Sequence, residues 1–200
     1  MMGFVYCPSQ TIYLGVQSGL ENTFRDKTIG KHINYAVLLQ LLLNSEWSLK
    51  ISTEYFQKKH YGPEWVYECR GTTYIIRDAQ LWRNSSLNIE INKRVFKGIY
   101  LGGGISGNII KFKRVIHNPY WPLLFTVNDK AIPNEIENRN TAFIRFGLIQ
   151  TGGWKLVLWK NLIFMLEERY ALLFVGREFG HGTFNILESI SIRGGLNFGF

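Results

Sequence analysis

Apolar and polar residues alternate along much of the chain, and the clearest example is its C-terminal segment. Between Ile190 and Phe200 every second residue is apolar or glycine, and the positions between them include Ser191, Arg193 and Asn197. A period of two with one apolar face predicts a β-strand. Domain termini usually fray into polar residues, whereas this apolar face continues to the final residue. We therefore expect the end of the strand to be needed.

Seven further segments alternate in the same way, which gives about eight predicted strands. They lie at 12–19, 35–43, 47–55, 87–92, 99–109, 142–148 and 164–170. Short connections at 44–46, 94–98 and 159–161 alternate with longer ones at 22–31, 58–83, 111–139 and 176–185. An even number of strands with turns at one end and loops at the other is typical of transmembrane barrels.

The strand faces opposite the apolar positions carry charges of both signs. Buried charges are costly unless they are paired, so this mixture fits a polar interior in which the charges neutralise one another. We predict a polar network in the barrel lumen, formed by Lys50, Glu54, Glu90, Arg145, Glu167, Arg169 and Arg193. One alternative is a soluble β-barrel that binds a small apolar ligand inside. Another is a β-sandwich with the charges on its solvated outer face.

Composition agrees with β structure and argues against helical membrane spans. Of 200 residues 15% are aromatic and 20 are glycine, which favours strands over a helical bundle. The longest candidate for such a span, at 37–43, is much shorter than the roughly 20 residues that a membrane helix needs. We therefore predict an all-β fold for residues 11–200: an eight-stranded antiparallel up-and-down transmembrane β-barrel with short periplasmic turns and long extracellular loops. Residues 1–10 are predicted to be the remnant of a signal peptide or an N-terminal tail.

Charge and motifs add little specific chemistry. The net charge is +8, but the cations are scattered rather than gathered in one patch, so nucleic-acid binding is not predicted. The glycines at 102–107 match a dinucleotide-binding spacing, which requires a helix after them, whereas here the strand pattern continues. We expect these glycines to relieve crowding and permit curvature. The histidines lack ligand spacing and no nucleophile motif occurs, so no catalytic, metal or cofactor site is predicted.

Five segments carry a family resemblance through their order and spacing. They are YLGVQSGL at 13–20, the segment 47–59, GIYLGGG at 98–104, the segment 160–170 and the terminal strand. In these segments the chain resembles the PorT-like outer-membrane β-barrel family, which is common in Bacteroidetes. Glu168 departs from the family pattern, because it is predicted to face lipid where the family usually has a small residue.

The resemblance implies a location in the cell outer membrane and contact with its lipid and lipopolysaccharide. It also implies insertion by the barrel assembly machinery, which recognises a terminal strand with a final aromatic residue; here that signal is Leu196, Phe198 and Phe200. It implies no single biochemical activity, and we predict that the protein is not an enzyme. The role we predict is structural, or the binding of an extracellular ligand or protein partner through the long loops.

Deletion of Phe200 is expected to impair membrane insertion, because it removes the final aromatic residue of the predicted assembly signal. The measurement is the fraction of folded protein in isolated membranes, read from heat-modifiable gel mobility. Deletion of Met1 is a matched single-residue control. Normal assembly of the truncated protein in cells would contradict this interpretation of the terminal strand.

Overall fold

The chain folds into antiparallel strands, and among the residues described no helix is long and apolar enough to cross a membrane. The computed structural model describes residues 12–24, 30–61, 65–69, 72–117, 126–127, 130–131, 135–175 and 185–200. Residues 1–10 lie outside this set, so the predicted N-terminal tail stays a prediction. The strands are β1 (Ile12–Phe24), β2 (Lys31–Leu42), β3 (Trp47–Tyr61), β4 (Trp65–Cys69), β5 (Thr72–Phe96), β6 (Ile99–His117), β7 (Thr126–Val127), β8 (Lys130–Ala131), β9 (Glu135–Trp159), β10 (Leu162–Val175) and β11 (Asn185–Gly199).

Eight of these strands form a closed barrel, which confirms the predicted fold class. They pair in the order β3-β2-β1-β11-β10-β9-β6-β5, and pairing of β3 with β5 closes the ring. Every ladder between neighbours is antiparallel. Among the described residues, β4 pairs with the first residues of β5, and β7 pairs with β8 in a separate two-stranded ladder. The closed ring leaves no unpaired edge in the barrel wall, as a membrane requires of strands.

The two faces of the wall have inverted polarity relative to a soluble barrel. Large apolar side chains are exposed on the outside, among them Val16 at 58%, Ile105 at 60% and Phe146 at 70%. The largest fully buried side chains include Lys50 and Glu90, together with several asparagines. This arrangement excludes the alternative of a soluble barrel around an apolar ligand. An apolar exterior and a polar interior identify a transmembrane β-barrel of the outer-membrane type, in agreement with the predicted location.

The predicted short turns are confirmed at one end of the barrel. Between β2 and β3, the side-chain oxygen of Asn44 accepts hydrogen bonds from the backbone N–H groups of Glu46 and Trp47, each at 2.8 Å. A side chain that binds its own following backbone in this way stabilises a tight turn. Between β5 and β6, Gly98 has a φ of 75°, a conformation that glycine adopts without steric cost.

The loops predicted at 58–83 and 111–139 are wrong over much of their length, because strands occupy these positions. Strands β5 and β9 each have 25 residues and β6 has 19, whereas about 9–11 residues cross a bilayer. The physical reason is that a strand segment outside the lipid has no face that must be apolar. Its sequence therefore loses the one-sided alternation on which the prediction depended.

The glycines at 102–107 continue β6 as a strand, so no helix follows them as nucleotide binding would require. A Cβ atom on Gly102 would collide with the Asn92 side chain, and one on Gly104 would collide with the backbone carbonyl of Ile89. Both clashes lie where neighbouring strands approach closely. The expectation that the glycines relieve crowding is therefore confirmed for Gly102 and Gly104, whereas a Cβ atom on Gly107 would meet nothing within 4 Å.

The terminal strand completes the ring beside the first strand. Phe198 pairs with Leu14 across the β11–β1 ladder, and the N–H of Phe200 donates to the carbonyl of Ile12 at 3.0 Å. Leu196, Phe198 and Phe200 are all exposed on the outer surface. Their recognition by the assembly machinery stays a prediction.

Glu168 lies on the outer face, as its position in the alternation predicted. It pairs with Gly152 on one side and Ile192 on the other, and the register of β10 is continuous there. The residue is near the middle of β10, and a charged side chain facing lipid is most unfavourable near mid-bilayer.

Replacing Glu168 with leucine is therefore expected to stabilise the barrel in lipid by about 1–2 kcal/mol. The measurement is reversible urea unfolding in lipid vesicles. The reciprocal change Leu166→Glu, on the same strand and face, is expected to lower the stability. If Glu168→Leu left the free energy of unfolding unchanged, the acid would have to lie at the membrane interface or be paired there.

Candidate functional site

The lumen contains two layers of paired charges, and alternation of the strands brings them together. Because successive side chains point to opposite faces of a strand, residues two or four apart on one strand share the lumen. Lys50 and Glu54 on β3 therefore point inward together, as do Glu167 and Arg169 on β10. Strands far apart in sequence supply their partners across the barrel.

The layer nearer the short turns is centred on Lys50. Its ammonium group donates to Glu167 Oε2 at 2.6 Å and lies 3.0 Å from Glu90 Oε2. The Tyr100 hydroxyl donates to the same Glu167 oxygen at 2.8 Å. All four residues are at most 2% exposed. One buried cation thus lies between two buried carboxylates, and such pairing offsets part of the cost of burying these charges.

The second layer is centred on Glu54, which holds two arginines. Arg193 binds it through both terminal nitrogens, with Nη1 at 2.6 Å from Oε1 and Nη2 at 3.0 Å from Oε2. Arg169 also donates to Glu54 Oε1, and its other terminal nitrogen donates to the Asn88 side chain at 3.1 Å. Such two-point guanidinium–carboxylate contacts are strong and fix the geometry of both groups. This layer therefore links β3, β5, β10 and β11.

Glu21 extends the second layer toward the loop end. Its Oε2 accepts a hydrogen bond from Asn34 at 2.6 Å and lies 3.7 Å from Arg193 Nη2. The His32 ring stacks near Phe56, with 3.9 Å between ring centroids, and its Nδ1 lies 3.1 Å from the Gly30 carbonyl. Glu21 thus belongs to the same ion cluster as Glu54.

The structure places six of the seven predicted network residues in these two layers. They are Lys50, Glu54, Glu90, Glu167, Arg169 and Arg193. For Arg145, it shows Nη1 donating to the Ile144 carbonyl at 2.8 Å and the guanidinium 5.2 Å from the Phe143 ring centroid. A role for Arg145 in the network stays a prediction.

Sequence reasoning missed Tyr100 and Asn88 as members of the network. An inward tyrosine cannot be distinguished from an ordinary strand aromatic in the sequence, because its partner is 67 positions away. Asn88 is 0% exposed and its role depends on Arg169, which lies on a distant strand. Alternation did mark both positions as facing the lumen.

The two layers separate a cavity at each end of the lumen. The cavity at the loop end, about 60 Å³, is lined by Glu21, Glu54 and Arg169 among others. The cavity at the turn end is about 510 Å³ and reaches up to Tyr100 and Asn92. Among the described residues no group of three or more potential metal ligands occurs. The chemistry of this site is therefore charge pairing across the lumen.

Three outer-membrane proteins of solved structure are similar to this chain. Ail, the attachment invasion locus protein of Yersinia pestis, solved in complex with the heparin analogue sucrose octasulfate, is 11% identical with a TM-score of 0.49, over 96% of this chain and 97% of that chain. A major outer membrane protein from Thermus thermophilus is 11% identical with a TM-score of 0.48, over 94% and 99%. OprG from Pseudomonas aeruginosa is 10% identical with a TM-score of 0.45, over 96% and 97%.

No protein-family model and no curated protein matches the sequence. The register of the strands and the polarity of their two faces, rather than these likenesses, establish the transmembrane barrel. The finer resemblance to PorT-like barrels stays a prediction.

Substitution of Lys50 by methionine is expected to destabilise the barrel by about 3–5 kcal/mol, because it leaves two buried carboxylates without their cation. The measurement is the free energy of unfolding by urea in lipid vesicles. Lys113→Met, at an exposed position on β6, is the matched control and should change stability by less than about 0.5 kcal/mol.

The charge-pairing account also predicts recovery when the carboxylates are neutralised. Adding Glu90→Gln and Glu167→Gln to Lys50→Met should restore most of the lost stability, since no buried charge then remains in this layer. Equal stability of the single and triple variants would contradict the account.

Proposed function

We propose that the chain is a non-conducting outer-membrane scaffold that binds an extracellular partner through a sheet projecting beyond the barrel. The observation that carries this proposal is the unequal length of the strands. Strands β1, β2, β10 and β11 have 13, 12, 14 and 15 residues, whereas β5 and β9 have 25 each. In an outer-membrane barrel the end with long connections is extracellular.

The longer strands remain paired with one another beyond the rim. The β5–β6 ladder extends to the pair Arg77–His117, and the β6–β9 ladder extends to the pair His117–Glu135. By contrast, the described β10–β9 ladder ends at the pair Leu173–Gly147. Residues 135–146 of β9 therefore continue upward with β6 as their partner in the described sheet. A paired sheet of this kind holds its outer end in a fixed orientation.

A projecting sheet has edges, and strand edges bind extended segments of other chains. Unpaired N–H and C=O groups along an edge offer main-chain hydrogen bonds, while alternate side chains supply selectivity. In the described sheet, residues 135–146 of β9 lie at one edge and β4 lies at the other. The partner class that suits these edges is an extended peptide segment of an extracellular protein.

The plugged lumen supports a scaffold rather than a pore. An eight-stranded barrel has an interior just wide enough for its side chains, and here two layers of ion pairs fill its middle. A catalytic arrangement would need a nucleophile or base beside an accessible cavity. The lumenal carboxylates are instead paired with cations, which favours a structural role over an enzymatic one.

The finer family assignment belongs to the same proposal. The resemblance of five segments to PorT-like barrels supports membership of that family, together with contact to outer-membrane lipid and lipopolysaccharide. Insertion by the barrel assembly machinery is supported by Leu196, Phe198 and Phe200 on the closing strand. No nucleic-acid partner and no cofactor are part of the proposal.

The reconstituted protein is expected to show no conductance steps in planar lipid bilayers, because ion pairs occupy the lumen. A variant in which Lys50, Glu90, Tyr100 and Glu167 are all replaced by alanine removes one layer and should raise the frequency of conducting events. Its folding is checked by heat-modifiable mobility. Steady channels formed by the unaltered protein would contradict the proposed scaffold.

The projecting sheet is tested by shortening it. Residues 62–78 are replaced by Asn-Gly, which joins β3 to β5 near the pair Tyr61–Ala79 with a two-residue hairpin turn. Peptides selected from a random display library on the unaltered protein are expected to bind this variant at least tenfold more weakly. A variant with 176–184 shortened is the control and should retain binding. Peptides that bind both variants equally well would count against the sheet as the binding surface.

A further inference from the structure

The cavity at the turn end of the barrel carries a charge pattern that neither the lumenal network nor the projecting sheet uses. Its volume of about 510 Å³ falls within the roughly 300–1,000 Å³ range of small-molecule sites. In an outer-membrane barrel this end faces the periplasm. The cavity therefore opens on the opposite side from the proposed extracellular binding surface.

Cations dominate the charged lining of this cavity. Four basic side chains line it, against the one carboxylate of Glu46; they are Arg94, Lys97, Lys155 and Lys160. Cations gathered around a concave opening raise the local concentration of anions. The excess of positive charge selects an anionic ligand.

Two donors lie at the inner end of the cavity, beneath the ion pairs. Lys155 Nζ lies 4.6 Å from the centroid of the Tyr100 ring, a cation–π distance. Asn92 is 1% exposed, and its side-chain oxygen accepts a hydrogen bond from Thr151 at 3.2 Å. Its amide nitrogen Nδ2 is buried and has no hydrogen-bond partner. A buried donor without a partner is costly, and an acceptor bound in this cavity would satisfy it.

Apolar side chains also line the cavity, beside polar ones such as Gln40 and Ser48. Leu42, Phe96 and Ile163 line the cavity together with Trp47. A site for a simple inorganic anion has no need of such a wall. Cations and buried donors suit the charged head of a ligand, and the apolar side chains suit an attached apolar chain. The lining therefore fits an anion that carries an apolar group.

We propose that this cavity is a periplasm-facing site for an anionic amphiphile. Its phosphate or carboxylate head lies against Lys155 and Asn92, and its apolar body contacts the wall near Leu42 and Ile163. A soluble alkyl phosphate and the phosphate headgroup of a lipid share this chemistry. The site is independent of the proposed extracellular sheet, so failure of either proposal leaves the other intact.

The test is titration calorimetry of the full chain in phosphatidylcholine nanodiscs, with hexyl phosphate as the probe. Saturable binding at one site is expected, with at least tenfold weaker binding by Lys155→Gln and recovery by Lys155→Arg. Lys113→Gln, an exposed change on β6 outside the cavity, should bind as the unaltered protein does. Heat-modifiable mobility verifies that each variant is folded.

Further probes separate the chemical classes. Hexanol should not bind, and inorganic phosphate should bind at least tenfold more weakly than hexyl phosphate. If inorganic phosphate bound as tightly as hexyl phosphate, the proposal of an amphiphilic ligand would be wrong. The proposal would also be wrong if Lys155→Gln left the affinity for hexyl phosphate unchanged. Absence of saturable binding would overturn the site itself.

A final arm identifies the source of the ligand. If the natural ligand is a lipid, phosphatidylglycerol in the nanodiscs should compete with hexyl phosphate and weaken its binding at least tenfold. That result would support the proposal with a lipid headgroup as the ligand. Unchanged affinity supports it with a soluble amphiphile as the ligand.

Discussion

Polar groups that a bilayer cannot hydrate must find their partners inside the barrel, and the rest of the structure depends on this constraint. Backbone groups meet it through eight paired strands closed into a ring. Charged side chains meet it in two layers, one around Lys50 and one around Glu54. Removing Lys50 would leave Glu90 and Glu167 buried without their cation. The network therefore determines both the stability of the wall and the closure of the lumen.

Alternation along the strands made the barrel itself predictable. Within the lipid a strand must be apolar on one face, so segments such as 47–55 reveal both their conformation and their orientation. The same pattern identified Lys50 and Glu54 as lumenal. Which carboxylate meets which cation was not predictable, because Glu54 and Arg193 are 139 positions apart and only the closed register brings them together. The projecting strands were missed because a strand outside the lipid has no face that must be apolar.

The proposed function follows from how the three zones of the barrel differ. The middle is filled by ion pairs and joins the strands, the extracellular end carries a sheet with bindable edges, and the periplasmic end has a cavity lined by cations. Charged groups in the middle contact one another, whereas the cavity at the periplasmic end is lined by four basic side chains and one carboxylate. In the proposed function, the wall remains rigid while its two ends contact different partners.

The central claim is the inverted polarity of a barrel in a membrane. Spin labels placed singly at positions 47–55 of β3, in a cysteine-free background reconstituted into lipid, test it most directly. Oxygen accessibility should alternate with a period of two, high at the odd positions that include 51 and 53, and low at the even positions that include 50 and 52. A uniform profile, or high accessibility at the even positions, would contradict the account.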